Sequence, residues 1–321
     1  MKRIARIVVM AGTMAFGGFA QGAGETRLSL TTRINLGSRP SLRGMTIRDL
    51  VVTTGHMYFL AYPHPAQLVN GVLLRSDLTG RIDWRADLGG DEVEDLSVDH
   101  SGNCLVLSSP PSGTTRLRRF DTAGQPLGEP RSLPDIAKLV TTSDGHVFGL
   151  TRSGFVRSID DGASPIGSVI DPEHVQTASS IVSVGEGRIA VVDEREVAVV
   201  LVDPKLGTRN GRAIDHPEAF RVKAMYQAEE AQRSGLHGRT ILLSAAYDGN
   251  IYCMLSGFKA EEGAPVVVVD SKGQVSKLLR CAVSYPSPSG KASASIPTAF
   301  SIDSGLLYML DSEGFVSVFR L

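Results

Sequence analysis

Two sets of turns advance along this chain in step, and any fold must accommodate both. Six glycine-centred turns, at Gly55, Gly102, Gly145, Gly187, Gly238 and Gly305, each join two short runs of β-branched or apolar residues. A second set opens on Asp and closes on Gly, pairing Asp77 with Gly80, Asp121 with Gly124, Asp160 with Gly162, Asp203 with Gly207 and Asp270 with Gly273. Glycine supplies the positive φ of a tight hairpin, and an Asp carboxylate accepts hydrogen bonds from the backbone just after it, so both are hairpin signals with a mechanism. Both sets recur at about 40 to 50 residues, the length of one four-stranded propeller blade. Six turns of the first kind predict an all-β, six-bladed β-propeller occupying residues 25–321 as a single domain. Composition agrees: 34 Gly and 16 Pro suit short strands and tight turns, and 42% hydrophobic residues exclude a disordered chain.

The sixth blade is one strand short. Residues 298–302, 306–310 and 315–319 supply three strands, and the sequence ends at Leu321. The alternating stretch 27–34 belongs to no other blade, so it is expected to complete the last one, because an unpaired edge is a liability. Blade five carries a surplus, partly in residues 227–238 and partly in 258–263. Insertions of this kind decorate a face or rim, where partners bind.

Lys2, Arg3 and Arg6 precede an apolar run over residues 7–20 and then small residues, the order of a bacterial secretory signal. A signal peptide over residues 1–22 is expected, cleaved after Ala20 or Gly22, which makes the protein periplasmic or secreted. The run is shorter than the roughly 20 apolar residues of a spanning helix and is interrupted by Gly12, Gly17 and Gly18, so no membrane span is expected. Cys104, Cys253 and Cys281 cannot all pair within one chain. The repeat puts Cys253 and Cys281 in one sheet as the candidate bridge, against three small buried thiols as the alternative.

The segment Leu96-Ser97-Val98-Asp99, with Gly102-Asn103 and the apolar strand to Leu107, resembles the strand, turn and strand core of NHL repeats. Arg119-Phe120-Asp121 with Gly124 is similar to the segment that follows in those repeats, and Asp144-Gly145 and Asp303 with Gly305 repeat the idea in blades three and six. The resemblance implies a central channel lined by the first strand of every blade. It does not choose among binding scaffolds, lactone hydrolases and lyases, because one fold hosts many activities. A second stretch, Ser76 and Asp77 through Thr79-Gly80 to Trp84, is similar to the quinone-dehydrogenase propeller repeat. That repeat needs a docking Trp in blade after blade, and Trp84 is the only tryptophan in this chain.

A site in the channel mouth must be assembled near the start of the first strand of each blade. Those positions offer Arg48 and Asp49, then Glu92, Glu94 and Asp95, then Asp135 and Lys138, Thr177 and Ser179, Arg221 and Lys223, and Ser295 and Thr298. The expected ligand-binding set is Asp49, Glu94, Asp95, Asp135, Arg221 and Lys223, acidic over blades one to three and basic at blade five, suited to a polar ligand, a peptide or a protein partner. No cofactor is required by this reading. Calcium is the possible ion, since Asp49, Glu94, Asp95 and Asp135 would offer the carboxylate oxygens that it prefers, and the alternative function is an NHL-like metal-dependent hydrolase or lyase built on those four residues. Zinc is disfavoured: His56, His100 and His146 lie at the turns of separate blades, and His64, His174, His216 and His237 show no ligand spacing. There is no Gly-x-Ser-x-Gly elbow and no phosphate-cradling loop. With 33 Lys+Arg against 34 Asp+Glu the net charge is -1, so no bulk field draws the chain to nucleic acid. The sequence thus predicts an exported, monomeric, non-catalytic binding propeller.

Overall fold

The repeated turns fold into six antiparallel sheets. The structure, a computed structural model, describes residues 25–63, 69–111, 113–133, 135–160, 164–168, 180–185, 187–193, 198–202, 208–209, 212–213, 220–223, 241–256, 262–270, 275–282, 284–286, 292–294 and 296–321. The expected signal peptide and its cleavage sites lie outside them. Each blade is named by strands A to D from the axis outward. Blade one is Thr46–Thr53, His56–Tyr62, Val72–Asp77 and Ile82–Asp87, and blade two is Glu92–Val98, Cys104–Ser109, Arg116–Phe120 and Arg131–Ser132. Blade three is Ile136–Thr141, Val147–Thr151, Phe155–Ser158 and Ser164–Ser168, and blade four is Ser180–Gly185, Arg188–Asp193, Ala198–Val202 and Phe220–Lys223. Blade five is Ile241–Tyr247, Asn250–Leu255, Ala264–Val269 and Val275–Cys281. Blade six takes strands A to C from Pro297–Asp303, Leu306–Asp311 and Phe315–Arg320.

Side chains on a strand alternate between its two faces, so a blade packed between two neighbours must be apolar on both. In blade one, Met57, Phe59 and Ala61 pack towards blade six, while Tyr58, Leu60 and Tyr62 pack towards blade two. The same division recurs at every seam: Leu105 and Leu107 against Ile136 and Leu139, Phe148 and Leu150 against Ile189 and Val191, Val192 and Val199 against Ile251 and Cys253, and Tyr252 and Met254 against Leu307 and Phe319. Six apolar clusters thus fill six seams, and the ring closes where Leu310 and Val316 of blade six meet Leu50 and Phe59 of blade one.

The closure uses the N-terminal chain, with a division that sequence reading did not resolve. Leu30–Asn35 is the fourth strand of blade six, antiparallel to Phe315–Arg320. Glu25–Arg27 instead runs parallel to the outer strand of blade five, pairing with Leu278, Leu279 and Arg280. Leu28, between the two, is buried in the seam of blades five and six. Arg33 Nη2 reaches Asp311 at 3.0 Å and its guanidinium lies 3.9 Å from the centre of the Phe315 ring. Glu25 pairs with the buried Arg280 at 3.3 Å.

The Asp-to-Gly turns are one device used at several hairpins. Asp77, Asp99, Asp121 and Asp311 each use Oδ1 to accept the amides two and four residues further on. At Asp77 the Thr79 hydroxyl adds a third donor, 2.6 Å away, and these bonds hold that carboxyl at about 2. The turn at Gly124 also forms a seam. Its φ is +78°, and a Cβ there would come within 2.7 Å of the Trp84 ring. Trp84 Nε1 donates to the Thr122 carbonyl at 2.9 Å, so the single tryptophan does dock blade one onto blade two.

Three expectations are corrected. The turn between strands A and B of blade five is Asp248-Gly249, with φ of 50° and 72°, rather than Gly238. The surplus residues 224–240 therefore precede blade five, and residues 227–238 lie outside the described residues. The Ala-Glu-Glu-Ala composition there disguised the next inner strand, which begins at Ile241. Cys253 and Cys281 do share a sheet, but strand C separates them and their side chains join clusters on opposite faces. Strands so placed are about 9–10 Å apart, beyond the reach of a disulfide, and all three cysteines are buried free thiols, each pushed up to about 12 by burial.

Candidate functional site: the channel mouth

The six A strands line a central channel of about 470 Å³. Its wall is stitched by hydroxyl groups: Ser97 and Thr141 are 3.0 Å apart across blades two and three, Ser180 and Ser244 are 2.9 Å apart across blades four and five, and Ser301 accepts the Val52 amide at 2.9 Å. Five A strands carry a register shift near their start, leaving one extra residue in the bulge: Asp49, Glu94, Ala137, Leu242 and Thr298. A bulge interrupts the ladder and re-aims a side chain. Because strand A starts beside the ends of strands B and D, these bulges ring the end of the channel that receives the connections between blades.

Asp49, Asp95 and Lys138 are the only ionisable groups in the channel lining among the described residues. Asp95 Oδ1 accepts from the Lys138 ammonium at 3.2 Å and Oδ2 from the Leu139 amide at 2.6 Å. Burial nevertheless pushes the Asp95 carboxyl up to about 6, with Lys138 opposing the rise and Asp49 adding to it. Asp49 has a positive φ of 47° and no donor among the described residues bonds its carboxyl. Enclosure raises its pKa, partly offset by the charges of Lys138 and Arg48. It keeps partial access to the channel.

The other expected residues go elsewhere. Glu94 is bound by Arg152 of blade three through two contacts of 3.0 and 2.9 Å, and also accepts from Ser109. Asp135 is exposed, at a φ of 67°, and uses its carbonyl to accept the Arg152 amide at 3.1 Å. Arg221 and Lys223 belong to the outer strand of blade four, paired with Val200 and Ala198, rather than to the mouth at blade five. That correction has the same cause as the displaced turn: the long connection hid where one blade ended and the next began. Thr298 lines the channel, whereas Thr177, Ser179 and Ser295 lie outside the described residues.

The calcium reading requires four converging carboxylates. Only Asp49 and Asp95 come together, with an ammonium beside them, and no group of three or more His, Cys, Asp or Glu side chains among the described residues is arranged to hold a metal. The donor set does not fit a hard cation. Of the turn histidines, His56 approaches Asp83 at 3.7 Å and His146 approaches Asp160 at 3.4 Å, each within its own blade. His64, His174, His216 and His237 lie outside the described residues.

Two features of the mouth escaped sequence reading. Arg152 sits just after a B strand and carried no motif. Leu242 occupies the blade-five bulge, 37% exposed, where an apolar residue looks like any strand residue.

No protein-family model matches the sequence, and no curated protein matches it. Solved structures match it in shape. The β-propeller domain of Cps50 (Swd1) from Myceliophteria thermophila aligns at a TM-score of 0.54 and 10% identity, covering 92% of this chain and 99% of that one. A catalytically inactive virginiamycin B lyase from Staphylococcus aureus, solved with quinupristin, aligns at 0.55 and 11% identity, covering 90% and 98%. At such identities the likeness is one of fold alone: this chain is a six-bladed β-propeller.

Proposed function

We propose that this chain is an exported, NHL-like binding propeller that takes a polar ligand, peptide or protein segment at its channel mouth and performs no chemistry on it. The observation that carries this reading is the channel itself. Its volume of about 470 Å³ lies within the range of small-molecule sites, its described lining holds no His or Cys, and Asp95 and Lys138 are engaged with each other rather than with a hydroxyl. What the mouth does hold is Asp49, a carboxylate to which no described residue donates, a recognition group rather than a catalytic set. A lyase is among the solved propellers that share the fold, and the site chemistry of this chain favours binding.

The test is thermal unfolding of the full mature chain against a panel of cationic, anionic and neutral polar compounds and short peptides, with calcium and a chelator in parallel. At least one class is expected to raise Tm in the native chain and to lose that effect in Asp49→Asn, while calcium and chelator shift nothing. A panel without any effect, or stabilisation by millimolar calcium, overturns the reading.

A further inference from the structure

The mouth is two-sided in a way that specifies its ligand more closely; the inference rests on the binding reading above. On the side of blades one and two, Asp49 and Asp95 face the channel with one ammonium between them, and Lys138 and the Leu139 amide are both spent on Asp95. Asp49 receives no hydrogen bond from any described residue. At the same structural position on blade five the bulge residue is Leu242, which lines the channel and remains 37% exposed. Blade six, which lies between these two in the ring, presents Thr298 in its bulge, and Ile296, just before that strand, is 66% exposed. An enclosed carboxylate without a donor gains two or three charge-assisted bonds from a cation that brings its own N–H groups. An exposed leucine across the same opening gains from apolar surface.

We propose that the mouth binds a primary ammonium carried on an apolar body, with the ammonium on Asp49 and the body lying past Thr298 against Leu242. A quaternary ammonium has no N–H to give Asp49, and the one aromatic ring in the described lining, Phe300, is buried at 6% exposure rather than offered as a cation–π face. A carboxylate ligand would meet Asp49 and Asp95 and be repelled. A free peptide N-terminus on an apolar first residue and a small alkylamine share the required chemistry.

Titration calorimetry with hexylammonium on the full mature chain tests the proposal. Binding in the millimolar range or tighter is expected, at least ten-fold weaker for propylammonium because three methylenes of burial are lost, and immeasurable for hexanol, hexanoate and hexyltrimethylammonium. Asp49→Asn should abolish it, and Leu242→Ser, two blades round the ring, should weaken hexylammonium several-fold and propylammonium little. Leu-Gly-Gly with a free terminus and its N-acetyl form separate the two sources: binding of the first alone identifies a chain terminus, and failure of both alongside hexylammonium binding identifies a small amine. Equal binding of hexanol, or hexylammonium binding retained in Asp49→Asn, overturns the proposal. If hexylammonium fails while another class of the panel stabilises the chain through Asp49, the ligand class is wrong and the binding reading stands. If no class does, both fall.

Discussion

At the mouth, blades two and three are crossed by charge: Asp95 with Lys138, and Glu94 with Arg152. Blades five and six are joined instead by apolar packing, with Tyr252, Met254, Met309 and Phe319 in one cluster, and by an N-terminal segment that adds a strand to each blade and buries Leu28 between them. Both halves close the same ring. Ion pairs on the first side leave polar groups open to the channel at small net gain in stability. Burial on the second side holds the place where the two ends of the chain meet, where an open edge would be most costly. If the division is physical, the two halves must respond differently to truncation, pH and salt.

The largest expected effect lies in the apolar half. Phe319 is fully buried, pairs with Leu30 across the closing strand, and packs in the seam of blades five and six. Phe319→Ala should cost about 3–5 kcal/mol, read by urea unfolding followed by Trp84 fluorescence, with the same cost at pH 4 and pH 8. A loss under 1 kcal/mol would show that the closure does not depend on that seam.

The polar half should titrate. The Asp95 carboxyl is pushed up to about 6 in the folded chain, chiefly by burial, against about 3.9 in an unfolded one. The folded state therefore holds the proton more tightly, and stability falls as pH rises from about 4 through about 6, then levels off. The amplitude is about 2–3 kcal/mol. Asp77, held at about 2, acts with the opposite sign and in a lower window: its contribution is present above pH 4 and is lost as pH falls through 2. Asp95→Asn should reduce the slope between pH 4 and 7, leaving the part of the same sign that comes from the raised Asp49 carboxyl, and leave the acid limb unchanged. A native profile that rises through this window would remove the buried-carboxylate account of the mouth.

The ring was legible in the sequence because its turns are local. Asp77, Asp99 and Asp121 bond amides two and four residues away, so their pattern survives in the one-dimensional chain. The strand borrowed from the N-terminus could be inferred from a shortage, since blade six lacked a partner. Its split between two blades could not, because Glu25 and Arg280 are brought together only by the closed ring. The site was half legible for the same reason. Asp49 and Asp95 could be placed by counting from the turns, but Glu94 is turned away by Arg152, fifty-eight residues distant, and the bulges that aim these side chains have no signature. Where a long connection masks the turn rhythm, counting from the turns puts Arg221 and Lys223 at the start of blade five, whereas they lie on the outer strand of blade four.

The smallest effect gives the sharpest contrast between the halves. Arg152 is 67% exposed on its side chain, and Glu94, at 16%, keeps Ser109 as a donor when the arginine is removed. Arg152→Ala should therefore cost only about 0.2–1 kcal/mol at low ionic strength. Screening acts within about 10 Å at 0.1 M salt and about 3 Å at 1 M, so the difference from the native chain should shrink towards zero at 1 M NaCl, whereas the Phe319→Ala deficit, being apolar, should not shrink. Paired urea titrations of the two variants at both salt concentrations read this directly. A salt-independent Arg152→Ala cost as large as that of Phe319→Ala would mean that the two halves are held by the same force, and the contrast drawn at the mouth would fail.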